Sequence, residues 1–285
     1  MSEHLVLQIA NTRFAVKCEH PAFEQWLTER FSGFLSQEEP RSWVNLILED
    51  AVGGENANAG LAGDLSRCLT VSAIRDGDCS YDLVLCAEGP APTDLFGLGL
   101  QLGLRLSISA QHSLDLLLHA AGVARGGVAY LFVGPSGAGK STVCRLSADD
   151  GDCFVLHDDM VALSETDEGF LAWSTPLGGE MPASHSVRMP LGAIFFLAQD
   201  ESNYAARLKG WQAVNLLVPQ MLPPVSCRNG DIQIDHADSL KVLLALVGAV
   251  PCYELHFRRD PSFWDCIERL PSNECAATAV AKGAR

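Results

Sequence analysis

Val128-Ala129-Tyr130-Leu131-Phe132-Val133 runs directly into Gly134-Pro135-Ser136-Gly137-Ala138-Gly139-Lys140-Ser141-Thr142. The first stretch is apolar throughout and predicts a strand buried on both faces. The second is a glycine-rich turn, and the residues after it predict a short helix to about Ala148. A further apolar strand, Phe154–Leu156, ends at Asp158-Asp159. Strand, loop, helix, strand is the unit on which phosphate-binding loops are built.

Each position of the loop has a physical task. Gly134, Gly137 and Gly139 let the backbone turn tightly and aim successive N–H groups inward, with Pro135, Ser136 and Ala138 between them. Those donors, with the N-terminal end of the following helix, favour a β-phosphate. Lys140 brings a point charge to the β- and γ-phosphates, and Ser141, followed by Thr142, offers a hydroxyl to Mg²⁺. The pattern predicts a nucleoside triphosphate and Mg²⁺ as ligands.

Asp158 and Asp159 lie at the C-terminal end of the next strand, the edge at which open α/β sheets bind ligands. One carboxylate there can hold the metal while the other accepts a proton from a hydroxyl. Asp159 is the preferred base, because the metal-ligating position lies nearer the strand end. Both are expected to face solvent and metal, so that replacing either leaves the fold intact. His157 should point to the opposite face of the strand from Asp158 and serve structure.

Outward from this centre, the first hundred residues read as mixed strand and helix. Alternation over residues 5–18 predicts a hairpin. Pro21 opens a helix carrying Phe23, Trp26, Leu27, Phe31 and Phe34. Strands are expected at 42–49, 67–74 and 81–85, with a glycine-rich loop at 53–63 and a turn at Asp76-Gly77-Asp78. A helix spans 93–109. Leu116–Leu118 could close a helix or form a strand. Beyond the loop, strands are expected at 170–174, 191–198 and 251–257, and helices at 211–222, 237–249 and 261–269. The last helix carries a packing stripe of Phe263, Trp264 and Leu270. The resulting organisation is an N-terminal α+β domain over 1–110, an α/β domain with the phosphate loop over 111–272, and a frayed tail over 273–285.

The 285 residues are 48 % hydrophobic and 19 % charged, with a net charge of −15. A packed core is feasible. The acidic surface repels nucleic acid and anionic lipid, so neither is expected as a partner. Ten cysteines show no metal-site spacing and read mainly as small core hydrophobes. Met1-Ser2-Glu3-His4 carries no basic segment leading into an apolar run, and no apolar stretch is long enough for a bilayer. A cytoplasmic location with reduced thiols is the expectation.

Taken together, His119-Ala120-Ala121-Gly122-Val123, the loop Tyr130 to Thr142 and Val155-Leu156-His157-Asp158-Asp159 resemble the HPr kinase/phosphorylase family. Pro190 to Leu197 and Val250 to Phe257 continue the likeness more weakly. The resemblance implies a P-loop fold similar to phosphoenolpyruvate carboxykinase, with ATP and Mg²⁺ as cofactors and a serine hydroxyl as phosphoryl acceptor. It implies that the Asp pair follows the loop in the active site, that His119 takes the place of a histidine preceding the loop, and that Glu180 helps hold Mg²⁺. The likeness is to shorter relatives, some of which occur with peptide-modification systems and phosphorylate a precursor peptide. The bifunctional enzymes carry an Arg-Gly-x-Gly segment where this chain reads Thr175-Pro176-Leu177-Gly178-Gly179-Glu180-Met181-Pro182. That departure points away from HPr as substrate and from phosphorylase activity.

The expected function is therefore ATP-dependent phosphorylation of a hydroxyl on a peptide, a small protein or a small molecule. Lys140, Asp158 and Asp159 are the catalytic candidates, and Ser141, Asp158 and Glu180 the metal ligands. Homo-oligomerisation is left open. The rival is a regulatory module that binds ATP and transfers nothing; it keeps Lys140 and Ser141 and needs no base. Arg188 reads as a solvated arginine or a phosphate contact.

Overall fold

The computed structural model describes residues 4–49, 69–75, 80–87, 92–111, 115–181, 183–228, 231–234 and 236–270. The expected loop at 53–63, the turn at Asp76-Gly77-Asp78 and the tail beyond Asn273 lie outside them. The chain divides into two compact units, Met1–Ser113 with Pro223–Ala237, and Leu114–Leu222 with Asp238–Arg285.

The first unit opens with the hairpin β1 (Leu5–Ile9) and β2 (Thr12–Cys18), paired antiparallel. Its two-residue turn, Ala10-Asn11, begins with Ala10 at φ 52°, the left-handed conformation that two-residue hairpin turns require. Helix α1 (Phe23–Phe31) buries Phe23, Leu27 and Phe31. Strands β3 (Trp43–Glu49), β4 (Leu69–Arg75) and β5 (Ser80–Ala87) complete a sheet of order β1-β2-β3-β5-β4. Helix α2 (Pro92–Ala110) lies on β2, β3 and β5. A Cβ on Gly99 would fall 2.8 Å from Leu46 Cδ2, and one on Gly103 would fall 3.1 Å from Val44 Cγ1. The glycines let the helix backbone come close to the sheet. A hairpin from later in the chain, Val225–Arg228 paired with Asp231–Ile234, belongs to this unit and packs beside α2 and β4.

The second unit is built from β6 (Leu116–His119), β7 (Ala121–Arg125), β8 (Val128–Val133), α3 (Lys140–Ala148), β9 (Cys153–His157), β10 (Met160–Thr166), β11 (Gly169–Trp173), β12 (Arg188–Gln199), β13 (Tyr204–Arg207), α4 (Gly210–Leu217) and β14 (Met221–Leu222). The hairpin strands just described are β15 and β16. Then come α5 (His236–Ala249), β17 (Cys252–Phe257) and α6 (Phe263–Glu268). Strand β12 pairs parallel with β8 on one side and with β17 on the other. Its first residues pair antiparallel with β11, which joins the group β14-β6-β10-β11 to the same sheet.

Register sets the core. Phe132, Phe195 and Tyr253 are direct neighbours across β8, β12 and β17. Their rings stack with centroids 5.6 and 5.5 Å apart. Phe263 and Trp264 of α6 meet Phe132 edge-on, and Val143 and Cys144 of α3 join the cluster. On the other face, Leu131, Val133, Ile194 and Phe196 pack with Ala213 and Leu217 of α4 and Leu243 and Leu246 of α5. Cover on both faces explains the near-continuous apolar runs of β8 and β12. Cys18, Cys144 and Cys252 are buried, and burial pushes the Cys252 thiol up to about 12.

Leu116–His119, which the sequence leaves open between helix end and strand, is a strand. Strands β10, β13, β15 and β16 are not expected from the sequence, and two further elements depart from its reading. Helix α4 stops at Leu217, well before the expected 222, and gives way to a tight turn at Val218–Gln220 and then to β14. Pro219 lacks the N–H that a continuing helix needs. Strand β7 was not legible by itself, being short and made mostly of small residues, and it lies antiparallel between β8 and β9. The strand that ends at the acidic pair is therefore next but one to the loop strand. Among the described residues no helix is long and apolar enough to cross a membrane.

Candidate functional site

The loop springs from the C-terminal end of β8 and ends in α3. Gly137 has φ 81° and Gly139 φ 114°, a backbone region that side-chain-bearing residues rarely adopt. A Cβ on Gly139 would also lie 2.6 Å from the ring of Phe257, and one on Gly134 2.6 Å from Ala138 Cβ. Phe257 is the last residue of β17, so the sheet itself supports the loop from below. Lys140 opens α3, is 7 % exposed, and donates from Nζ to the Gly134 carbonyl at 2.8 Å. Burial pushes its ammonium below its usual range, opposed by the carboxylates of Asp159 and Asp158. Ser141 and Thr142 follow in the first turn of α3, and Pro135, Ser136 and Ala138 complete the loop.

The two members of the acidic pair have different surroundings. Asp158 is 2 % exposed, and its carboxylate accepts backbone N–H groups from Glu180 at 3.2 Å and Met181 at 3.1 Å. The expectation that it faces solvent is overturned, because the chain 178–181 folds over it. Asp159 is more open, with Oδ1 3.2 Å from His119 Nδ1. Burial lowers the His119 imidazole below its ordinary value; Asp159 acts to raise it and Lys140 to lower it further.

His157 is fully buried, and its Nδ1 accepts the backbone N–H groups of both Asp159 and Met160 at 2.9 Å. The proton is thereby assigned to Nε2. Its ring does not point away from Asp158: Nδ1 lies 3.9 Å from Asp158 Oδ1. Strand alternation fails there because β9 ends at His157 and the chain turns. The structural role expected of His157 takes a specific form, shaping the turn that presents Asp159. Gly178 and Gly179 have φ 73° and 71°. A Cβ on Gly179 would meet Asp158 Oδ1 at 2.3 Å and His157 Cε1 at 2.6 Å. Only a backbone without side chains can close over the pair in this way.

Glu180 stands apart from this cluster. Its side chain is 68 % exposed and ion-paired with Arg145 of α3. Among the described residues no three His, Cys, Asp or Glu side chains gather as a metal group. Magnesium in phosphate-loop sites needs fewer, since substrate phosphates, water and one or two protein oxygens complete its shell. Arg188 lies over the ring of Trp173, 5.3 Å from its centroid. Phe263 and Trp264 are buried as a packing stripe.

Two residues at the other flank of the loop were not singled out in the sequence. Gln199, at the end of β12, donates from Nε2 to the Gly137 carbonyl at 2.7 Å. Arg259, just past β17, donates to Gln199 Oε1 at 3.1 Å. No local pattern marks either, since their meeting depends on strand order. The Gly178-Gly179 doublet did carry a signal, as two adjacent glycines shortly before an acidic residue.

Lys140, Asp159 and His119 thus meet at one flank of a glycine cradle, with Asp158 buried behind them. Such an arrangement can hold a polyphosphate and present a carboxylate to a hydroxyl beside it. No curated protein matches the chain. Residues 100–271, which span the loop, the acidic pair and all the described elements of the second unit, match the model of the SynChlorMet cassette protein ScmC. That match extends over more than half of the sequence, and the chain belongs to the ScmC family of SynChlorMet cassette proteins.

Proposed function

We propose that this protein is an HPr kinase-like enzyme that transfers the γ-phosphoryl group of ATP to a hydroxyl, with serine on a peptide or small protein as the preferred acceptor and a small molecule as the alternative. The fold type proposed is that of HPr kinase and phosphoenolpyruvate carboxykinase. The observation that carries the reading is the convergence of Lys140, Asp159 and His119 beside a loop whose left-handed glycines tolerate no side chain.

The residues fit a nucleoside triphosphate with Mg²⁺. The loop amides and Lys140 would take the β- and γ-phosphates. Ser141 and Asp158 would hold the metal, whose charge helps neutralise the transferring group. Asp158 keeps free lone pairs after accepting two amides, since a carboxylate offers about four acceptor sites. Glu180 could join only by giving up Arg145. Asp159 takes the proton of the acceptor hydroxyl as its oxygen bonds to phosphorus and the bond to the β-phosphate oxygen breaks. His119 orients that carboxylate. Positioning and charge stabilisation account for most of such catalysis.

The test is incubation with γ-labelled ATP and a lysate from the protein's own source, followed by identification of labelled species. Labelling that Asp159→Asn removes while ATP still binds supports the kinase. Tight ATP binding with no labelled acceptor would leave the regulatory module in its place.

A further inference from the structure

We propose that the nucleoside half of the bound triphosphate lies over the ends of β12 and β17, with Arg259 as its recognition residue. This rests on the proposed nucleotide site and adds a direction to it. The acidic pair and His119 stand on the β7–β9 side of the loop strand, where the transferring phosphate must be. A triphosphate has two ends, so its nucleoside is directed to the opposite side. There the strand order places β12 and then β17.

Both strands deliver polar side chains to the loop at that point. Gln199 holds the Gly137 carbonyl, and Arg259 holds Gln199. A phosphate loop turns its amide hydrogens toward the ligand. Gln199 reaches the Gly137 carbonyl from the end of β12, on the side of the loop strand away from β7 and β9. Arg259 is exposed, on a short loop supported by Phe257. Its planar guanidinium can stack on a base or donate to ribose and base acceptors. Neighbouring charges keep to their own partners: Arg258 pairs with Asp260, and Asp200 with His256. Gln199 is the positioning residue, tying Arg259 to the loop.

The experiment compares ATP with inorganic tripolyphosphate, both with Mg²⁺, on the full chain by calorimetry. Arg259→Ala should raise the Kd for ATP about tenfold, the loss of a charge-assisted contact, while tripolyphosphate stays within about twofold of wild type. Equal weakening for both ligands would make Arg259 a phosphate contact and overturn the inference. No change for either would return it to the surface and overturn it as well. Wild type binding neither ligand would remove the nucleotide site itself, a distinct failure that the unmutated protein reports first.

Discussion

Glycine does different work in the two units. In the first, Gly99 and Gly103 sit in a regular helix and let α2 approach Val44, Leu46 and Leu85. Their task is packing, and an added methyl group would meet hydrocarbon. In the second, Gly137, Gly139, Gly178 and Gly179 all have positive φ and border Lys140, Asp158 and Asp159. There an added methyl group would strain the backbone at all four, and on Gly179 it would also press on Asp158, on Gly178 it would touch Asp159, and on Gly139 it would strike Phe257. Abundant glycine in a strand-and-helix context therefore says little about function. Glycine in left-handed conformations, beside buried charge, says a great deal.

The sharpest test lies inside the second unit, where neighbouring carboxylates are held so differently. Asp159→Asn should lower phosphoryl transfer by about a hundred- to ten-thousandfold, as for a lost general base, with ATP affinity kept. Asp158→Asn should weaken folding by about 1–3 kcal/mol, because a buried amide replaces an acceptor facing two backbone donors, and should raise the Mg²⁺ needed for binding rather than abolish proton acceptance. Single-turnover assays and urea unfolding separate the two. Equal behaviour of the variants would break the distinction between an open and a buried carboxylate.

Lys140→Ala should remove a charge-assisted contact and weaken ATP binding by about 1.5–3 kcal/mol. Titration of a labelled ATP analogue into both forms checks it, and unchanged affinity would remove the basis of the nucleotide site. Gly139→Ala, at φ 114° and against Phe257, should strain the loop by about 1–3 kcal/mol. Its loss should show in ATP affinity more than in the unfolding midpoint. A mutant that unfolds earlier yet binds ATP normally would make Gly139 a packing glycine like those of α2.

What the sequence could show of all this follows from distance along the chain. The loop, its strand and its helix are contiguous, so apolar run, glycines and Lys140 were read together. The acidic pair was legible because it ends a short apolar strand. Its inner division was not, since the burial of Asp158 depends on residues 178–181 folding back. Strand β7 hid behind Ala121, Gly122 and Ala124, which have little strand preference of their own. Gln199 and Arg259 reach the loop only through the order β17-β12-β8. The hairpin at 225–234 joins the first unit by a chain return that carries no local mark.

The smallest effect is expected where glycine has no evident task. A Cβ on Gly97 would have nothing within 4 Å, whereas one on Gly99, two residues on, meets Leu46 and Leu85 within 3 Å. Both lie inside α2. Alanine is favoured over glycine in a helix interior by about 0.5–1 kcal/mol, chiefly by restricting the unfolded chain. Gly97→Ala should therefore stabilise the protein by that amount. Gly99→Ala gains the same helix term and loses more to overpacking, which typically costs about 1–3 kcal/mol, so its net effect should be destabilising. Neither should alter ATP affinity. Paired denaturant titrations read the sign directly. Stabilisation by both would mean that the two leucine side chains yield to the new methyl group, and that close approach of α2 to the sheet does not depend on Gly99.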